Sequence, residues 1–122
     1  MRAAADALTA FVALEHLGFL VLEMFFWTRP LGLRLFRLTP AAAASSAALA
    51  ANQGLYNGFL AAGLVWGLSA ADPALGLSLK TFFLGCVLAA GLFGAATASP
   101  RILYIQAAPA LAALALLRLS RP

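Results

Sequence analysis

The chain has 122 residues, room for one domain covering 1–122. Apolar residues make up 64% of it and charged residues 10%, more apolar surface than a soluble core of this size can bury. The net charge of +4 is spread beside apolar runs, which suits lipid headgroups and argues against a nucleic-acid surface; Cys86 is the single cysteine, so no internal disulfide forms.

The charge-free runs 38–71, 81–100 and 102–117 set the architecture. A spanning helix needs about 20 apolar residues and tolerates about 17. The pattern predicts helices over 5–27, 42–68, 78–98 and 102–119, an all-α membrane protein built as a four-transmembrane-helix bundle. The first helix carries "LEHLGFLVLEMFFW", with Glu15, His16 and Glu23 among Leu, Val, Phe and Met. A cleaved signal peptide fits poorly, because these groups interrupt the apolar core and the run exceeds the usual length of about 7–15 residues.

"TRPLG" and "LTP" bracket the first connection, and "LGLRLFRL" (31–38) between them reads as an interfacial connector on the membrane surface. The second helix carries "LAANQGLYNGFLAAGL", in which Asn52, Gln53, Tyr56 and Asn57 span an arc of about 140°. Gly54 and Gly58 form a G-x-x-x-G beside that arc, where another helix can approach closely. "SAADPALG" makes the second connection, and the third helix offers Gly85, Gly91 and Gly94 as small packing surfaces. "ASPR" is a tight third turn, with Pro100 placed to begin the last helix. Pro109 should free a carbonyl near residue 105.

Glu15, His16, Phe19 and Glu23 share an arc of about 100° on the first helix. In an antiparallel hairpin their stripe can face that of the second helix. An ionisable group at mid-membrane costs about 2.5–3.5 kcal/mol, while an interhelical hydrogen bond returns about 0.6 kcal/mol. That imbalance favours a functional site over structural glue. Glu15, His16, Asn52, Gln53, Tyr56 and Asn57 are expected to converge on one water-accessible cavity, with Glu23 at its mouth and Glu15 as the principal proton carrier.

"LEHLGFLVLEMFFWT" (14–28), "LAANQGLYNGFLAAGL" (49–64), "FFLGCVLAAGLFGAAT" (82–97) and "ILYIQAAPALAAL" (102–114) together resemble the domain of unknown function 1304 family. The "EH" pair with "LEMF", and "ANQGLYNGF", are the specific pieces; Gly18 stands where members often have an aromatic residue. The resemblance implies a bacterial four-span inner-membrane protein and brings no established reaction or catalytic residue with it.

The residues favour a protein that binds or transports a small lipophilic or cationic molecule with proton coupling. A membrane-embedded enzyme doing acid/base chemistry on a lipophilic substrate is the second reading, and a structural subunit of a membrane complex the third. No cofactor is expected. No metal is expected either, since His16 is the only histidine. Four spans put Arg2, Lys80, Arg118 and Arg121 on the side of both termini and Arg29, Arg34, Arg37 and Arg101 on the other. This tie leaves the orientation undetermined and suits a homo-oligomer that inserts both ways up.

Overall fold

A computed structural model describes residues 1–120. Those residues form α1 (Arg2–Phe25), α2 (Pro30–Phe36), α3 (Pro40–Ser69), α4 (Pro73–Thr97) and α5 (Ala108–Leu119), with a π-helical turn over Leu103–Ala107 and no strand. Arg121, counted above with the charge near the termini, lies outside the described residues.

The helix starts follow local chemistry. Pro40 and Pro73 open α3 and α4, where a missing backbone N–H costs nothing. The Thr39 hydroxyl accepts the Ala42 N–H at 3.1 Å, and the Asp72 carboxylate accepts the Ala74 N–H at 2.9 Å. The sequence pattern treats 31–38 as a connector, but Pro30–Phe36, which takes in its first six residues, is the seven-residue helix α2. Pro30 starts it, and Arg37 ends it in the left-handed region at φ 55°, ψ 46°. Seven residues are too few for a periodic signal to show.

Two helices, Arg2–Phe25 and Pro73–Thr97, are long and apolar enough to cross a membrane. Only 22% and 28% of their most apolar windows are buried, unlike the core helix of a soluble protein. Phe11, Leu14, Phe25, Phe82 and Phe93 are among their exposed side chains. α3 has 30 residues and no charge, but Ser45, Ser46, Asn52, Gln53 and Asn57 lower its apolarity. The last apolar helical stretch, Leu103–Leu119, is shorter than the other two.

The chain divides into two compact units, one of Met1–Leu14 with the chain from Leu60 onward, the other of Glu15–Phe59. The first unit has its core in Ala5, Val12 and Ala13 of α1, Leu64 of α3, Leu84 and Val87 of α4, and Ala110, Ala113 and Leu117 of α5. These side chains are small or aliphatic, and the helices come close. The Phe83 ring lies over Gly63, and Gly67 faces Leu79 and Lys80. At Gly91 an added Cβ would stand 2.8 Å from the Ala107 backbone nitrogen. The π turn ending at Ala107 thus rests on α4 where α4 has no side chain.

The same turn lies just upstream of Pro109. Proline supplies no N–H to an α-helical ladder. Upstream of it the helix widens, and the Ala108 N–H reaches back five residues to the Leu103 carbonyl. Hydroxyls are satisfied within their own helices: buried Thr9 donates to the Ala5 carbonyl at 2.7 Å, and Ser78 and Thr97 bond carbonyls one turn back.

In the second unit α1 and α3 run antiparallel. Gly54 faces Leu20, Glu23 and Met24, and Gly58 faces Leu20. Beyond the end of α1, the Trp27 indole N–H donates to the Ser46 hydroxyl at 3.0 Å and its ring lies 4.7 Å from that of Phe36. One side chain thereby ties α2 and the early part of α3 to the end of α1.

Candidate functional site

Every candidate site residue read from the sequence belongs to the second unit, Glu15–Phe59. α1 supplies the ionisable groups. His16 lies on its buried stripe with Ala5, Thr9 and Val12, and is 0% exposed. Its ring meets Phe19 edge to face, with centroids 5.4 Å apart. Glu23, seven residues on, returns to the same face within about 20°. Glu15 precedes His16 by one residue and sits about 100° around the helix, on the flank of the stripe.

α3 supplies one close partner. The Asn57 amide nitrogen donates to Glu23 Oε1 at 3.2 Å. Asn57 is 5% exposed. The other carboxylate oxygen of Glu23, Oε2, is buried with no hydrogen-bond partner, and so is Oε2 of Glu15. An unsatisfied buried polar atom costs about 1–3 kcal/mol. Two of them on one helix are the strongest chemical irregularity here.

The remaining three residues are not brought in. Asn52, Gln53 and Tyr56 are exposed, and the Tyr56 ring lies against Phe59 of its own helix, centroids 5.8 Å apart. Helical phase gives the reason. The buried face of α3 in this unit holds Ala43, Ala50, Gly54 and Asn57. Counting about 100° per residue, Asn57 falls about 35° from the middle of that face, Gln53 about 75°, and Tyr56 and Asn52 beyond about 130°. The glycines decide which face approaches α1, and they lie beside the amide arc rather than within it. Gly54 and Gly58 do stand at the close helix contact.

Glu15 and Glu23 are not one dyad either. Eight residues of helix separate them by about 12 Å along the axis. The arrangement is two acceptor positions on one helix, one at Glu15 beside His16 and a second at Glu23 held by Asn57. Among the described residues no group of three or more His, Cys, Asp or Glu is placed to hold a metal ion. The positions in the second unit could not be ranked from sequence, because the amide arc there is wider than the strip that α1 covers.

A partly buried charged pair lies in the first unit, where the sequence pattern gave no site. Lys80 of α4 and Asp6 of α1 form an ion pair at 2.5 Å, with side chains 7% and 38% exposed. Lys80 interrupts an apolar run, which is the signal that marks it.

No curated protein and no solved structure matches the chain. A family model, described as a protein of unknown function, matches residues 10–118, which include every candidate site residue of the second unit. With nearly its whole length matched, the chain belongs to the DUF1304 family.

Proposed function

We propose that the chain is a four-span protein of a bacterial inner membrane, with both termini on one side, that binds or transports a small lipophilic or cationic molecule with proton coupling, a proton leaving as the cation binds. α1 and α4 have the length and apolarity of spans, and α3 and the Leu103–Leu119 stretch are the two further crossings. The carrying observation is the pair of buried, unpartnered carboxylate oxygens at Glu15 and Glu23. Structural glue would satisfy both oxygens of each carboxylate. A site that exchanges a proton for a cationic ligand leaves an acceptor open for each in turn. Glu15 is the principal proton carrier and His16, next to it, its neighbouring ionisable group. Glu23 is held in place by Asn57 at the second position, and Asn52, Gln53 and Tyr56 belong to the approach on the exposed face of α3.

The test uses tetraphenylphosphonium as a lipophilic cation and weakly buffered, detergent-solubilised protein with a pH-sensitive dye. Wild type should release up to about one proton per bound cation, because one carboxylate exchanges its proton for one charge. Glu15→Gln keeps the shape and removes the titration, so the release should vanish while the helical circular dichroism stays unchanged. Equal proton release from a folded Glu15→Gln protein overturns the assignment.

A further inference from the structure

A cavity of about 280 Å³ opens in the first unit, lined by Arg2 of α1, Pro73, Leu77 and Lys80 of α4, and Leu117 and Ser120 at the end of α5. We propose that it holds the phosphate of an anionic phospholipid, with Arg2 and Lys80 as the cations and the leucines against the glycerol and first acyl carbons. The proposal rests on the bilayer reading given above and names a ligand at a place separate from the carboxylates of α1.

The cavity combines two kinds of wall. Its lining is mostly apolar, yet two cations meet there. Lys80 forms its floor. An ammonium has three N–H donors, and among the described residues Asp6 Oδ1 is its one partner, at 2.5 Å. A group so fully buried still has donors to place, and the cavity is where they can find acceptors. Arg2 forms the rim. It is exposed, and it precedes Asp6 by four residues, so the two share a face of α1 one turn apart. Arg2 and Lys80 against Asp6 leave one positive charge in surplus. Asp72, next to Pro73, does not line the cavity, and its Oδ1 accepts the Ala74 N–H.

An anion with an apolar stem answers both walls. The phosphate takes the surplus charge and the open donors, and the stem takes Leu77 and Leu117. The volume is that of a headgroup rather than a whole lipid, so the chains stay in the bilayer. The cavity also sits where helices start and end, at headgroup depth for any protein whose α1 and α4 cross a bilayer. A soluble phosphate ester offers the same anion without the chains.

The experiment is native mass spectrometry of the tag-free protein in detergent, with phosphatidylglycerol, phosphatidylcholine and glycerol 3-phosphate as probes. Phosphatidylglycerol should be retained in preference to phosphatidylcholine. Arg2→Gln should lower its occupancy about fivefold, the loss expected for one headgroup-level cation. Arg2→Lys should keep most of it, and Arg118→Gln should keep all of it, because Arg118 is an exposed cation of α5 outside the cavity lining. Equal losses in Arg2→Gln and Arg118→Gln, or no preference for the anionic lipid, overturn the site. Glycerol 3-phosphate bound as well as phosphatidylglycerol overturns the lipid as its source. Alkaline carbonate extraction separates the two readings: protein washed off membranes fails the bilayer reading, whereas protein that stays and shows no anionic preference fails this one.

Discussion

Asn57 is the polar residue of α3 that packing takes in, and its worth can be measured. Its amide is the one hydrogen-bond partner of Glu23 among the described residues. Asn57→Leu removes that donor and leaves both Glu23 oxygens bare, so it should cost about 1–3 kcal/mol in a detergent thermal melt. In a double-mutant cycle with Glu23→Leu the coupling should be about 0.6 kcal/mol and no more than about 1.7 kcal/mol. A coupling of zero means that the hydrogen bond is not formed in solution. Asn52→Leu and Gln53→Leu, on the exposed side of the same helix, should change the melt by less than about 0.5 kcal/mol. That contrast marks what the sequence could convey. The polar character of both stripes is legible in the residue types. Which amide meets which carboxylate is not, because that depends on the face chosen by Gly54 and Gly58.

At the scale of elements, the long helices are legible because apolar runs mark them out. Their starts are less so: the pattern begins α3 at 42 and α4 at 78 and leaves Pro40 and Pro73 in the connections, whereas each proline is the first residue of its helix. The short helix α2 and the π turn before Pro109 are not legible. Seven residues hold no period, and a proline announces a broken ladder without saying how the backbone will relax. The π turn makes Gly91 a sharper packing site than the other glycines of α4. A Cβ there meets the nitrogen and Cα of Ala107 at 2.8 and 3.0 Å, backbone atoms with little room to move. Gly91→Ala should therefore cost about 1–3 kcal/mol through overpacking. Gly85, six residues earlier on the same helix, has nothing within 4 Å of the same position. Gly85→Ala should be neutral or add up to about 1 kcal/mol from helix propensity. Equal melts for the two variants would show that α4 does not meet the π turn closely. Gly58 is intermediate. Its added Cβ meets only the end of the Leu20 side chain, at 2.5 Å, so Gly58→Ala should be tolerated where Gly58→Leu disrupts the contact.

For the molecule as a whole, the four-span proposal is tested by how many times the chain crosses a bilayer. Four crossings return both termini to one side, three or five do not, and two leave α3 or the last helices out of the lipid. The Ala3 and Ser120 positions report on this, since each lies within two residues of an end of the described chain. With Cys86 replaced by Ser, single cysteines at 3 and 120 should react with a membrane-impermeant maleimide to the same extent in sealed vesicles. The extent itself depends on orientation. Arg2, Lys80, Arg118 and Arg121 balance Arg29, Arg34, Arg37 and Arg101, so charge alone does not choose a direction. A balanced chain should insert both ways, and both positions should then be labelled in about half of the molecules. Replacing Arg34 and Arg37 by Ser breaks the balance and should move both fractions together, turning the termini toward the cytoplasm. If one position is fully labelled and the other fully protected, the number of crossings is odd and the four-span reading falls. If the fractions move in opposite directions on the loss of Arg34 and Arg37, the number is likewise odd; if they do not respond, the charge tie is not what sets the orientation.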